Sequence, residues 1–320
     1  MLPAPMNPIV WAARIDTPSV YHAGMVRRAV VVLLMVAASA QAAPKSKLPV
    51  VKLLDAGTGT KQKLRIHPVV GSKRTLVMKI RMAMELDAGP MMHLPHTELP
   101  IMKMTFDTKV IEIDNKGVAK YEMIVTKIDV EQGKAAASLV PSVKASVDKL
   151  VGLKGWATVD ARNFTLAGAF DVPATADAST KQMMDSMSQS MSQLSAPLPD
   201  EAVGIGAKWS VDATMPANGI VLAQTGTYEI TKLDGDHVAA KVAMKQTADA
   251  QEAHVPGMAG ATLSVVSWKG TGAGTMELDL GKEILPVHAS LVVTEDARFA
   301  IITGKDHQDM SMGLDLGVDL

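Results

Sequence analysis

The sequence predicts a mainly β protein of the α+β class, in which a duplicated antiparallel meander forms a curved sheet or half-barrels, with two amphipathic helices covering the concave side. Three observations predict this fold. Long stretches alternate apolar and polar residues, as in TLVMKIRMAMELD at 75–87. Turn signals rich in Asp and Gly separate these stretches. Landmarks recur at nearly the same offset, because Gly117 corresponds to Gly235 and Gly155 to Gly274.

The strands of the first half are predicted by their period of two. In the segment just quoted, Met78, Met82 and Met84 alternate with charged or small residues and share one face. A second strand in the same style begins at Met102, and the residues DNKG at 114–117 predict the hairpin turn that follows it. The first half of the predicted sheet therefore has a methionine-lined face.

Two segments have helical rather than strand periodicity. Residues 138–151 place apolar side chains at helical spacing. Residues 179–194 (STKQMMDSMSQSMSQL) begin with a capping-box spacing and place Met184, Met187 and Met191 on one face. We therefore predict a helix in each segment, the second with its methionines against the methionine face of the strands.

The repeat suggests how the chain is organised. Residues 108–129 and 226–249 share a strand–turn–strand pattern. The expected parts are an entry segment 43–60, a first β repeat 61–173 that includes the helix 138–151, a helix and linker 174–200, a second β repeat 201–302, and a tail 303–320.

Residues 25–42 (MVRRAVVVLLMVAASAQA) have the layout of a secretory signal peptide. Two arginines precede an uncharged apolar run, and the small-x-small sequence AQA predicts cleavage after Ala42. The apolar run is too short to span a bilayer. We expect a periplasmic or secreted protein whose true start is Met25, with residues 1–24 an over-extended gene start.

The composition excludes several functional classes. The 320-residue chain has a net charge of −1, which argues against nucleic acid or an anionic membrane surface as the main partner. It has no cysteine, which excludes disulfides, thiolate metal ligands and cysteine nucleophiles. Aromatic residues make up 3% of the chain whereas 22 residues are Met, so we expect methionine to fill much of the interior. No second apolar run is long enough to span a membrane.

Two later segments, VGIGAKW at 203–209 and GAGTMELD at 272–279, follow the Met- and Thr-rich strands. With the signal peptide and a helix that ends in proline, they resemble a family of exported bacterial proteins, many of them lipoproteins, known as a domain of unknown function. The resemblance covers about residues 60–300 and implies no activity or catalytic residue, and this chain lacks the cysteine that anchors the lipoprotein members. Its layout is also similar to the periplasmic lipoprotein carriers, which hold acyl chains in a half-open barrel beneath helices.

Catalytic motifs are missing, since neither Gly-x-Ser-x-Gly nor His-Glu-x-x-His occurs in the sequence. We therefore expect a non-enzymatic protein without a cofactor, which binds an apolar, acyl- or lipid-like molecule in a methionine-lined concavity. Flexible thioether side chains adapt to many apolar shapes. The expected lining residues are Met78, Met82, Met84, Met184, Met187 and Met191.

Two alternatives remain open at this stage. Thioether and imidazole groups suit Cu(I), and a candidate set lies in the segment 89–100 (GPMMHLPHTELP), which we interpret as the connection between two strands. A periplasmic copper-binding protein is the second hypothesis, provided that the loop brings together Met91, Met92, His93 and His96. The third hypothesis is a structural or interaction module of the cell envelope without a small ligand.

Overall fold

The computed structural model describes residues 48–89, 92–171, 196–217, 220–254, 261–303 and 306–320. Within these ranges, none of the helices is long and apolar enough to cross a membrane. The described strands are β1 Val50–Asp55, β2 Thr58–Lys63, β3 Lys73–Asp87, β4 His93–Glu98, β5 Ile101–Ile113, β6 Ala119–Glu131, β7 Lys154–Val159, β8 Thr165–Phe170, β9 Ala202–Ile205, β10 Lys208–Ala217, β11 Ile220–Asp234, β12 His237–Ala248, β13 Gln251–His254, β14 Ala261–Asp279, β15 His288–Thr303 and β16 Asp306–Asp319. The described helices are α1 Leu139–Val147 and the 3-10 helix Asp148–Leu150. The protein is therefore mainly β, as predicted.

Most of the strands belong to one antiparallel sheet. Their order along the sheet is β1-β10-β11-β12-β14-β15-β16-β3-β5-β6-β7-β8, with β4 paired to β3 and β13 paired to β14 beside this path. A separate pair is formed by β2 and β9. Among the described strands the path ends at β1 and at β8, so the sheet that they form does not close on itself.

The described sheet contains two antiparallel meanders of five strands each. The N-terminal meander is β3-β5-β6-β7-β8 and the C-terminal meander is β10-β11-β12-β14-β15, and in each of them every strand pairs with the next. The hairpin turns after β5 and β11 both contain a glycine with positive φ, 79° at Gly117 and 55° at Gly235. The two meanders lie in the halves of the chain for which the spacing predicted a repeat.

The residues 303–320, expected to form a tail, instead supply a central strand. β16 pairs with β15 on one side and with β3 on the other, and so joins the two meanders. The reason lies in the sequence DMSMGLDLGVD, in which Met, Leu and Val alternate with polar residues and glycine. The apolar face of this strand is half-buried, and its backbone groups are paired because a strand edge is available on both sides.

The prediction of two helices over the concave side is not supported. Residues 138–151 do form a helix, consisting of α1 and the 3-10 helix that follows it. Leu139 is the one buried residue of α1, which lies against β6. A helix so short and exposed does not cover a curved sheet. The second predicted helix, 179–194, lies outside the described residues.

The segment 89–100 is more than a connection between strands. It contains β4, which folds back on β3 through pairs such as Leu86 with Leu94. Pro95 lies within β4, where it is tolerated because β4 pairs with a neighbour along one side only. The two prolines at 95 and 100 therefore bar a helix here without barring a strand.

The sheet curves so that the two meanders face each other across a common core. The largest cluster of buried apolar side chains joins Tyr121 of the N-terminal meander with Trp209 and Ile230 of the C-terminal meander. We call the face of the sheet that carries these side chains the inner face. We call the end at which the turns 114–117 and 234–236 lie the hairpin end.

The segment 64–67, which follows β2, contacts both meanders at the hairpin end. Leu64 is completely buried in the common core. The backbone of this segment donates one hydrogen bond to the carbonyl oxygen of Ala161, between β7 and β8, at 2.9 Å, and one to that of Leu280, after β14, at 2.6 Å. The segment therefore fastens the N-terminal meander to the C-terminal meander.

The segment 196–199 fills the inner face beside it, and all four of its residues are buried. One of its N–H groups donates to the carbonyl oxygen of Arg162, in the β7–β8 turn, at 2.9 Å. The indole N–H of the completely buried Trp209 donates to the carbonyl oxygen of Pro197 at 3.0 Å. Trp209 also stacks on Tyr228, with ring centroids 5.2 Å apart. The hairpin end of the inner face is thus filled by the chain itself.

An ion pair and a hydroxyl group hold the end of β16 between its neighbours. The Arg81 guanidinium of β3 lies 2.5 Å from the Asp319 carboxylate, and Ser290 Oγ of β15 donates to the same carboxylate at 2.8 Å. These hydrogen bonds, chiefly the one from Arg81, lower the pKa of Asp319. Because the side chains of Arg81 and Asp319 remain 40% and 37% exposed, the pair contributes less than about 1 kcal/mol.

Replacing Trp209 with Phe tests the filled hairpin end. The shorter ring leaves the Pro197 carbonyl without its buried donor and opens a small cavity, so the free energy of unfolding should fall by about 2–4 kcal/mol. Urea unfolding followed by circular dichroism measures the loss. Trp156→Phe is the matched control, because that ring is half-buried on β7 beside Lys120, and it should cost less than about 1 kcal/mol. Equal losses would contradict the prediction.

Asp319→Asn should lower the free energy of unfolding at neutral pH by up to about 1 kcal/mol. The folded-state pKa of Asp319 is depressed, so its stabilisation is present above the unfolded-state value of about 4 and is lost as the pH falls through the folded-state value. The difference in urea unfolding between the wild type and the variant should therefore shrink as the pH falls below about 4.

The control for this variant is Asp315→Asn, on the same strand. Its carboxylate accepts a hydrogen bond from Thr294 Oγ1 at 2.8 Å but forms no ion pair within the described part of the chain. It should therefore cost less stability at neutral pH than Asp319→Asn. If the stability difference between the wild type and Asp319→Asn stays as large in acid as at neutral pH, the stabilisation does not come from the ionised Asp319 carboxylate.

Candidate functional site

Paired residues of an antiparallel sheet point to the same side, so neighbours on the inner face form rows that cross the strands. One of these rows contains three polar side chains between apolar rows, and we call it the polar row. Its members, in strand order, are Gln224 of β11, Gln246 of β12, Gly270 of β14, Glu295 of β15, Leu314 of β16 and Met84 of β3. The next row towards the hairpin end consists of Gly226, Met244, Gly272, Val293, Leu316 and Met82.

The absence of a side chain at Gly270 lets Gln246 and Glu295 approach each other. A Cβ atom at Gly270 would lie 2.7 Å from Gln246 Oε1 and 3.2 Å from Glu295 Cγ, so both side chains occupy the space above the glycine. On the other side, Gln246 Nε2 donates to Gln224 Oε1 at 2.9 Å. Three polar side chains are thereby brought together in the middle of an apolar face.

Two polar atoms at this place have no hydrogen-bond partner among the described residues. Gln246 is only 6% exposed, and its Oε1 atom has no donor. Trp268 Nε1, on the same side of β14 as Gly270, has no acceptor. Buried polar groups are nearly always paired, and an unpaired one costs about 1–3 kcal/mol. A polar group of a bound molecule would be stabilised here.

The electrostatics of the polar row are set by burial. Glu295 is half-buried among Gly270, Leu314 and apolar side chains of the neighbouring rows. Removal from water raises the pKa of the Glu295 carboxyl. The row therefore disfavours a second negative charge beside Glu295 and favours groups that are neutral.

The structure places Met78, Met82 and Met84 on the inner face of β3, but these residues do not form one wall. Met78 packs against the common core near the hairpin end. Met84 is 1% exposed and packs with Leu86 of β3 and Leu94 of β4. Met82 lies between them and is half-buried. The other predicted lining residues, Met184, Met187 and Met191, lie outside the described residues.

Methionines that were not predicted as lining residues extend this face across other strands. Met310 and Met312 of β16 pack both against the cluster around Met84 and against a second cluster around Val265. Met244 of β12 is half-buried in the row next to the polar row. The methionines of the described inner face therefore extend beyond the segment 75–87 to other strands.

The predicted copper ligands that the structure describes lie in different surroundings. Met92 packs against the apolar cluster of Met84, Leu86 and Leu94. His93 is exposed, with its Nδ1 atom 3.7 Å from Asp87 Oδ2, and His96 is exposed as well. Met91 lies outside the described residues. Across the ranges that the structure covers, there is no group of three His, Cys, Asp or Glu side chains that could hold a metal ion.

The polar row was not predicted, although the sequence contains a signal for it. On the inner face of β12, Gln246 follows Met244, and in β15 Glu295 stands between Val293 and Ala297. A polar residue at an inner position of an otherwise apolar alternation indicates a buried polar group. The alternation does not show that two such positions are neighbours, because that depends on strand order and register.

Comparison with known proteins adds a family but no activity. A search of curated proteins finds no match to this chain. The model of a family of unknown function, DUF6263, matches residues 176–282, which include Gln246, Gly270 and Trp268 but not Glu295. The segments 203–209 and 272–279 lie within this match. About a third of the chain, residues 176–282, is thus a domain of the family of unknown function DUF6263.

Proposed function

We propose that this protein is exported and acts as a binding protein for an apolar, acyl- or lipid-like molecule, which lies on the inner face beyond the filled hairpin end. The observation that carries the proposal is a set of inner-face apolar side chains that remain partly accessible. This set, the apolar belt, comprises Ile80, Met82, Met244, Leu291, Leu314, Leu316 and Val318.

The shape of the belt suits a flexible apolar chain. Between β12 and β15 the belt crosses β14 at Gly272 and Gly274, so no side chain rises from that strand. Burying the accessible apolar surface beneath a ligand would contribute about 25 cal/mol per Å². The methionines can follow ligands of different shape because the thioether chain is flexible. An apolar surface of this kind indicates an interaction site.

Export is supported by the signal-peptide layout of residues 25–42. If the protein is processed as proposed, the chain recovered from the periplasm or the medium begins at Ala43. Intact-mass measurement of the recovered protein checks this. A mass that still includes residues 25–42 would contradict cleavage after Ala42, and recovery only from the cytoplasm would contradict export.

Apolar binding is tested with N-phenyl-1-naphthylamine, a neutral dye whose fluorescence rises when it leaves water. Met82→Gln keeps the length of the side chain but adds an amide to the apolar belt. It should weaken dye binding by about tenfold, which corresponds to a loss of roughly 1–1.5 kcal/mol. The matched control is Val77→Gln, on the outer face of the same strand and 51% exposed, which should bind as the wild type does.

Two results would count against the proposal. One is that the wild-type protein binds no dye at concentrations at which it is folded. The other is that Met82→Gln and Val77→Gln change dye binding equally, because this would place the dye elsewhere than on the inner face.

A further inference from the structure

The two unpaired atoms of the inner face, Gln246 Oε1 and Trp268 Nε1, form one potential binding position. Trp268 pairs with Ala248 across β12 and β14, and Gln246 stands two residues from Ala248 on the same strand and face. Such diagonal neighbours are about 7–8 Å apart at the backbone, within reach of long and aromatic side chains. One small polar group between them could contact both atoms.

The two atoms are chemically opposite. Gln246 Oε1 is an acceptor without a donor, and Trp268 Nε1 is a donor without an acceptor, within the part of the chain that the structure covers. The Gln246 amide is held in place because its Nε2 atom donates to Gln224. The Trp268 ring is held by edge-to-face contact with Phe299, at a centroid distance of 6.1 Å. A group that both donates and accepts a hydrogen bond would therefore satisfy both atoms.

We propose that Gln246 and Trp268 bind the neutral hydroxyl group of an apolar ligand, such as a long-chain alcohol, whose hydrocarbon part lies along the apolar belt. This inference rests on the proposed function and names the class of ligand. A hydroxyl group donates one hydrogen bond, to Gln246 Oε1, and accepts another, from Trp268 Nε1.

Charged head groups fit the position less well. A carboxylate accepts from Trp268 but leaves Gln246 Oε1 unpaired, and it lies near Glu295, on the other side of Gly270. An ammonium group brings three donors and no acceptor, so it leaves the Trp268 N–H unpaired and loses its water at a high cost. The site should therefore distinguish molecules with the same hydrocarbon chain by their head group.

The hydrocarbon chain of the ligand, next to its head group, would lie among apolar side chains. The row on the far side of the polar row, away from the hairpin end, consists of Ala248, Trp268, Ala297, Met312 and Leu86. On the near side lies the apolar belt. A single hydroxyl group is thus the only polar function that this position needs, and the rest of the ligand meets hydrocarbon and thioether groups.

The test compares three molecules with the same sixteen-carbon chain: 1-hexadecanol, palmitate and hexadecylamine. Each displaces N-phenyl-1-naphthylamine from the full-length mature protein at neutral pH. We expect 1-hexadecanol to bind about tenfold more tightly than either charged molecule, the effect of one well-made hydrogen bond. Gln246→Leu removes the acceptor that palmitate cannot use, so it should abolish most of the preference over palmitate while palmitate binding stays within about twofold. Trp268→Phe removes the donor that hexadecylamine cannot use, so it should abolish most of the preference over hexadecylamine while hexadecylamine binding stays within about twofold.

Trp156→Phe, outside the inner face, is the matched control and should keep the preference for the alcohol. Thermal unfolding followed by circular dichroism checks that each variant is folded. Because the two substitutions lie on separate strands, the test can still be made with one variant if the other does not fold. Equal affinity for the three molecules, or a preference that both variants retain, would overturn the hydroxyl assignment and leave apolar binding intact. Displacement by none of the three would overturn both proposals.

Discussion

β16 lies between β15 and β3 and forms hydrogen bonds with both, and through these pairings the two meanders become parts of one sheet. β16 pairs with β15 along its whole length and with β3 over residues 311–319. Without it, each meander would end in an edge of unpaired N–H and C=O groups, which is a site of aggregation in β proteins. With it, the two meanders become one sheet with one inner face, and that face can curve around a common core.

The curvature gives the inner face two regions with different properties. At the hairpin end, the segments 64–67 and 196–199 enter the concavity, and their backbone groups are paired with turn residues of the sheet. The buried contacts of Trp209 belong to this region. These buried contacts hold the two meanders together at this end. The apolar belt and the polar row lie in that second region.

The glycines of β14 make the second region possible. A glycine inside a strand costs conformational entropy and packing, so alternating glycines at 270, 272 and 274 weaken this strand in isolation. In the sheet, side chains of the neighbouring strands occupy the space that side chains at Gly270 and Gly272 would fill. A Cβ at Gly272 would lie 3.1 Å from Val293 Cγ2 and 3.2 Å from Met244 Cε, so these two side chains occupy the space above Gly272. The space above Gly270 is occupied in the same way by Gln246 and Glu295. Large side chains of β12 and β15 therefore meet across β14.

Local periodicity and turn chemistry were enough to predict the strand at 75–87 with Met78, Met82 and Met84 on one face, the strand–turn–strand units at 108–129 and 226–249 with their turns at Gly117 and Gly235, and the helix at 138–151. The tertiary structure was needed to show that residues 306–319 form the central strand, that Met78 and Met84 belong to different clusters, and that Gln246 and Trp268, each with an unpaired atom, lie on neighbouring strands of the same face. A period of two assigns a residue to a face. Which residues become neighbours on that face depends on strand order and register, and these are set by the hydrogen-bonded pairing of segments far apart in the chain.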